Sequence, residues 1–419
     1  MTRETPRPPG PNDSEAVRAM ADPASAPWFM AEVERTYPSI AHMVLHGEHT
    51  YALTDPQAIV EVFIEHGRHT MKGNDLKGVE VDGSGPDTEG EFHMRHRRLA
   101  QPAFNRERLI DYSTQMTALA LEQERTWHDG ETIDMQQSTA AMSLAIMGRT
   151  LFDVDLSGDS HSLGDTAAAL MTALGTRMLL PDSPGVAVEE RARGDMLSLL
   201  LALQDEGFGF TDAAGRNSAI TALLGDPEPT AMNLSWSWLL LGQHPESAAW
   251  LHEELEVELG GADARIDDLD RLPRTRAVLA ESMRLYPPAW IEGRRLLEDV
   301  EINGWLLPAG SLAFACQFAM HRSERWWSRP HEFWPQRWIN ADGDFDEETP
   351  GQPRGAWFPF GWGSRRCIGE RFAWTEATLV LATLAQRWSP QPLSGTEVVP
   401  VGALTLRARD GMPMVLRRR

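Results

Sequence analysis

Two runs of β-forming residues, Ile40–Leu45 and Thr50–Thr54, flank Gly47 and predict a hairpin. Asp55-Pro56 then opens a short helix that runs to His66. Met71–Glu91 is a glycine-rich, acidic loop, read either as plain surface or as a lid. Residues 112–150 carry a helical pattern, and two further helical stretches between 164 and 205 are split by Pro181, Ser183, Pro184 and Gly185. Over 218–242 a stripe of Ile220, Leu223, Leu224, Ala231, Leu234, Trp238 and Leu241 predicts one long helix, closed by Gly242 and Pro245. Pro227 and Pro229 interrupt it. A proline inside a helix removes a hydrogen bond and costs about 3 kcal/mol, so one kinked helix and two separate helices both stay open. PPAWIEGRRLLEDVEINGWLLPAGS predicts paired strands with turns at Asn303-Gly304 and Ala309-Gly310. The closing helix is predicted over Glu370–Trp388, with Phe372, Leu379, Val380, Leu384 and Trp388 at helical spacing.

Composition narrows the class. The chain has 419 residues, no low-complexity tract and no internal repeat. Residues 1–25 are rich in proline and polar groups and read as a flexible N-terminal arm. They hold no apolar segment of the kind a signal peptide needs. No apolar run reaches the ~18 residues of a membrane span, LSWSWLLLG around Trp238 being the best candidate. The formal net charge of −22 argues against a nucleic-acid partner. Two cysteines, Cys316 and Cys367, exclude a disulfide framework and fit a reducing, cytoplasmic location.

The chemistry centres on FGWGSRRCIG, Phe360 to Gly369. Gly361, Gly363 and Gly369 permit positive φ or close approach to a flat ligand. Cys367 falls at the N-terminus of the closing helix, where unpaired N–H groups and the dipole favour a thiolate, and Arg365 and Arg366 add positive charge. Three readings compete: an inert buried thiol, a nucleophile lacking a base nearby in sequence, and an axial thiolate to haem iron.

FGWGSRRCIG resembles the haem-binding loop of the cytochromes P-450, F-x-x-G-x-R-x-C-x-G, at every fixed position: Phe360, Gly363, Arg365, Cys367 and Gly369. The resemblance covers roughly residues 35 to 418. It implies a mainly α (α+β) fold, a helix-rich lobe and a smaller β-rich lobe with haem b between them, and a single domain over 26–419. Haem–thiolate ligation of this family is itself a standard example of such chemistry; the resemblance gives that role to Cys367. His93 and Arg97 match its H-x-x-x-R, and with Arg294 and Arg365 they are the expected holders of the haem propionates. Glu281 and Arg284, of the E-x-x-R pattern, and Arg337, of FWPQRW, match a structural triad. Ala289, Trp290, Ile291, Leu224 and Leu404 fall on its substrate-facing segments.

In the oxygen-activation helix, Glu228 is the expected acid and Pro229 stands where the usual threonine does. Thr230 comes one residue later, rotated by about 100° in a regular helix. The lid expected around 155–200 looks short. The reaction implied is monooxygenation of a small, largely apolar metabolite in bacterial secondary metabolism. Pro229 keeps open atypical chemistry: peroxide-driven oxidation, coupling, cyclisation or rearrangement. A haem sensor or carrier without turnover is the third reading. The core ends soon after the cysteine helix, so no fused reductase is expected, and the family implies a separate ferredoxin and ferredoxin reductase. Arg95, Arg98, Arg106, Arg108, Arg366 and Arg371 would form the docking patch. The substrate is expected free or tethered to a carrier protein.

Overall fold

The computed structural model describes residues 6–72, 97, 101–151 and 227–419. The expectations for His93, Leu224, Arg95, Arg98, most of the acidic loop and the lid lie outside the described residues.

The architecture is mainly helical, α+β. Helices Arg106–Glu124, Met135–Leu151, Pro227–Gln243, Pro245–Glu258, Pro273–Leu285 and Glu370–Ala385 contribute to one apolar core. The predicted helical region 112–150 is in fact two helices. Between them the chain passes Gly130, at φ 81°, and strand Thr132–Asp134, which pairs with Pro413–Val415. The helix Pro227–Gln243 is the centre of this lobe. Every residue from Thr230 to Leu241 is buried, so the predicted apolar stripe understates it: the helix is covered all round. Its small polar residues are satisfied locally. Ser235 and Ser237 donate to the carbonyls of Ala231 and Asn233, both at 2.7 Å. Pro227 and Pro229 are the first and third residues of the described stretch of this helix.

The second lobe is a five-stranded sheet in the order Ile40–Leu45, Glu48–Leu53, Leu312–Ala315, Glu292–Leu296, Thr70–Lys72. The predicted hairpin is present. Leu45 pairs with Glu48 across His46 and Gly47, at φ 49° and 80°, a two-residue turn whose twist suits a tight antiparallel pair. Asn303 and Gly304 turn the Val300–Ile302 and Trp305–Leu307 hairpin in the same way.

The N-terminal segment differs from expectation over residues 6–25. Asn12 caps helix Asp13–Ala21 by accepting from the N–H of Ser14 and Glu15, and Ala16 and Met20 are buried. Asp13 Oδ1 accepts from Val44 N–H at 2.8 Å, which ties the segment to the first strand. Prolines at its start suggest a loose arm by composition. The cap and two buried apolar side chains outweigh that signal.

Candidate haem and active site

A cavity of about 280 Å³ opens beside the Pro227–Gln243 helix. Pro229, Thr230 and Asn233 form its helical wall; Phe360, Gly361, Arg365, Cys367 and Gly369 bring in the cysteine loop; Ala289 and Ile291 close a third side. Apart from a few groups the wall is apolar, with Met283, Pro288, Phe372 and Ala377.

The loop is folded by its glycines. Gly361 and Gly363 adopt φ 70° and 71°, the left-handed region. A Cβ on Gly363 would lie 2.1 Å from the carbonyl oxygen of Phe63, and one on Gly361 would lie 2.8 Å from Glu292 Oε2. Their close approach is therefore to protein. Gly369 sits at φ −84°, immediately before the helix, so positive φ is not its role. Cys367 N–H donates to Phe360 O at 2.9 Å, closing the loop on itself. The helix that follows runs Glu370–Ala385 and stops short of Trp388, which is nevertheless buried.

The two cysteines are chemically distinct. Cys316 is buried and its thiol is pushed up to about 12 by burial. Cys367 is exposed on the cavity wall. Among the described residues no histidine lines the cavity, so the nucleophile reading of Cys367 finds no imidazole base there.

The expected propionate holders are placed unevenly. Arg365 lines the cavity. Arg97 donates from Nη1 to the carbonyl of Arg366 at 2.6 Å, against the back of the loop. Arg294 is 3% exposed and does not line the cavity; it lies over the Phe63 ring and donates to Gly293 O at 2.9 Å and to Glu292 Oε1 at 2.6 Å. Glu292, which no sequence motif singles out, does line the cavity, with Oε2 buried and unpartnered. Two amides escape the sequence reading as well. Asn233 Oδ1 and both polar atoms of Gln317 are buried without partners on the wall. The arrangement fits a flat, partly anionic group: an apolar slot, one thiol, an arginine and unsatisfied polar atoms along its edge.

The catalytic trio is split. Pro229 and Thr230 both line the cavity, so Thr230 reaches the wall despite its rotation from position 229. Glu228 does not line it. Its Oε1 accepts from Thr405 Oγ1 at 2.8 Å and its Oε2 is buried without a partner among the described residues. Burial pushes its carboxyl above the ordinary value, only partly offset by the Thr405 hydrogen bond and by Arg407.

Among the expected substrate contacts, Ala289 and Ile291 line the cavity and Trp290 does not. Trp290 is directed instead at the segment around Ala403. It is 1% exposed, and its Nε1 donates to Ala403 O at 2.8 Å. Leu404 is half-buried and off the cavity wall.

The triad is assembled. Glu281 Oε1 accepts from Arg284 Nη2 at 2.9 Å, Arg337 Nε at 3.1 Å and Trp334 N at 2.9 Å; Oε2 accepts from Arg284 Nε at 3.0 Å and Trp338 Nε1 at 2.9 Å. Burial alone would raise this carboxyl, but Arg284 and Arg337 outweigh it and hold it below the ordinary value.

The sequence model described as Cytochrome P450 matches residues 177–407. The chain belongs to the cytochrome P450 family. It is 34% identical over 351 residues to the cyclooctatin synthase of Streptomyces melanosporofaciens, covering 75% of this chain and 74% of that one. It is 30% identical over 397 residues to the cyclooctat-9-en-7-ol 5-monooxygenase of the same organism, covering 86% and 83%. To the pentalenene oxygenase of Streptomyces avermitilis it is 32% identical over 343 residues, 75% of each chain. This P450 is therefore a haem-thiolate oxidoreductase of the bacterial type, a monooxygenase with haem b held by a cysteine thiolate. Bacterial members generally take electrons from a ferredoxin and its reductase. Among the described residues no helix is long and apolar enough to cross a membrane.

Proposed function

We propose that this P450 oxidises a free, largely hydrocarbon carbocycle, with Cys367 as the thiolate ligand and dioxygen as oxidant. The observation that carries the reading is the cavity wall: one exposed thiol and one arginine in a slot whose apolar side is formed by Pro229, Met283, Ala289, Ile291 and Phe372, with Thr230, Asn233, Glu292 and Gln317 as its other polar groups. The names of the relatives, an oxygenase of pentalenene and a monooxygenase of an unsaturated alcohol, point the same way.

Bound haem supplies the oxidising chemistry of this family. The residues of this chain do the rest. Arg365, on the cavity wall, would hold a propionate; Arg294, off the wall and paired with Glu292, would have to turn towards the second. Ala289 and Ile291 orient the substrate by shape, and the apolar wall excludes water. Glu228, one layer behind the wall, holds a proton and passes it towards the cavity by way of Thr230. Thr230 thus takes over from the hydroxyl that Pro229 lacks.

Ferredoxin docking is assigned to the face around the cysteine loop. Arg366 there is bonded twice to Glu370, at 2.6 and 2.5 Å, so its charge is partly neutralised and its contribution is smaller than the sequence suggests. A second reading rests on Pro229 itself, on the wall with neither hydroxyl nor N–H: a peroxide-driven oxidation or a coupling or cyclisation that needs little proton delivery.

Titrating the haem-loaded ferric protein with hydrocarbon and mono-alcohol carbocycles, while following the optical spin-state change, tests the reading. The expected result is a saturable shift that Cys367→Ala abolishes and Cys316→Ala keeps. No shift with any free carbocycle sinks it. Product formation with ferredoxin and dioxygen, against product with peroxide alone, separates the two readings.

A further inference from the structure

We propose that Thr405 is the positioning residue for Glu228, so that the hydroxyl that holds the acid in place in this P450 comes from the turn at 402–406, while Thr230 on the acid's own helix faces the cavity. This rests on the reading of Glu228 as the proton source.

Position 229 cannot supply a hydroxyl. Thr405 Oγ1 reaches across 177 residues of sequence to donate to Glu228 Oε1 at 2.8 Å. That contact fixes one oxygen of the carboxyl and leaves Oε2, buried and without a partner among the described residues, as the atom that can carry and release the proton. Thr405 is 4% exposed, so water does not compete for its hydroxyl.

The turn is built to hold that hydroxyl still. Trp236, two helical turns beyond Glu228 on the same helix, donates from Nε1 to Leu406 O at 3.0 Å. Trp290 Nε1 donates to Ala403 O at 2.8 Å, and the turn's own N–H groups reach Pro23 O from Gly402, at 2.7 Å, and Pro288 O from Leu406, at 2.9 Å. Gly402 is required for this: a Cβ there would lie 2.7 Å from the Trp290 ring. The helix and the turn are thus joined at two points, Glu228–Thr405 and Trp236–Leu406. The charged group bearing on Glu228 among the described residues is Arg407, on the strand leaving the same turn. Buried Trp290, which faces away from the cavity, thereby acts on the acid through the turn it clamps.

The geometry sets a direction. Thr405 donates to the carboxylate form and favours it, so losing that bond moves the Glu228 titration further upward and lets its carboxyl change rotamer. The test uses the haem-loaded protein with ferredoxin, reductase, dioxygen and a substrate from the titration. The variants are Thr405→Val, which keeps shape, Thr405→Ser, which keeps the hydroxyl, and Glu228→Gln. Expected are a several-fold fall in product per reductant consumed for Thr405→Val and Glu228→Gln, and recovery in Thr405→Ser. Independently of turnover, the infrared carboxyl band that Glu228→Gln removes should titrate at higher pH in Thr405→Val and at the original pH in Thr405→Ser. If Thr405→Val lowers only the melting temperature, leaving coupling and titration unchanged while Glu228→Gln uncouples, Thr405 is structural and the inference fails. If Glu228→Gln does not uncouple, the proton role of Glu228 fails first, and the inference with it.

Discussion

Glu281 and Glu228 are both glutamates on central helices of one lobe, and they are held in opposite ways. Glu281 accepts five hydrogen bonds, three to Oε1 and two to Oε2, and its carboxyl is held low. Among the described residues Glu228 accepts one, from Thr405, and its buried Oε2 has no partner; its carboxyl is pushed up. A buried carboxylate with every lone pair met and two guanidiniums beside it is kept charged and immobile. One left half-satisfied beside a cavity is inclined to keep its proton and can give it up. Partner count and charge, more than depth of burial, separate the structural acid from the chemical one.

The largest effect should come from the satisfied acid. Glu281→Gln leaves Arg284 and Arg337 buried beside a neutral amide. Breaking a buried pair in this way costs about 3–5 kcal/mol, read as a fall in the urea midpoint of unfolding. Glu228→Gln should stay within about 1 kcal/mol of the parent in the same measurement, because the amide fits a site that already disfavours charge. Equal losses in the two variants would erase the comparison.

The pH dependence of stability sharpens it. A carboxyl whose folded value is raised binds a proton more tightly in the folded state, so Glu228 contributes stability that falls as pH rises from its unfolded value, about 4.3, through its higher folded value. Glu281, held low, contributes stability present above its unfolded value and lost as pH falls through its folded value. Relative to the parent, Glu228→Gln should therefore gain stability as pH rises over the first window. A flat difference across that window contradicts the assignment.

The smallest effect concerns Glu292, which pairs with Arg294. Glu292→Gln should free the guanidinium and slow haem transfer to an acceptor globin, by no more than about tenfold, equivalent to ~1.4 kcal/mol. Faster haem loss would mean that Glu292 itself holds the group.

The same contrast explains what is legible in the sequence. FGWGSRRCIG is contiguous, rich in charge and fixed in spacing, so the loop can be assigned from the order of residues; E-x-x-R alone reads as a surface ion pair, and Glu281, Arg284 and Arg337 are joined only through the family resemblance. Thr405, Glu292, Gln317 and Asn233 each matter because of what lies opposite them. The Glu228–Thr405 bond joins two segments that no local pattern relates. Trp290 departs from its expected place: its neighbours Ala289 and Ile291 face the cavity and it is directed at the segment around Ala403. Thr230 is expected to point elsewhere in a regular helix counted from position 229, yet it lies on the cavity wall beside Pro229. The prolines before Ala26 suggest a loose arm, whereas the order of that segment comes from Asn12, Ala16 and Met20.

The most direct test of the account is an infrared pH titration of the haem-loaded protein and its Glu228→Gln variant, following the carboxyl C=O stretch. Glu254 and Glu347 are also raised by burial, so the difference between the two proteins is what counts. The account predicts a band that persists above the ordinary carboxylate range, about pH 5, and is missing from Glu228→Gln. Identical band intensities in the two proteins above that pH would show that Glu228 is ionised like any surface glutamate, and would contradict it.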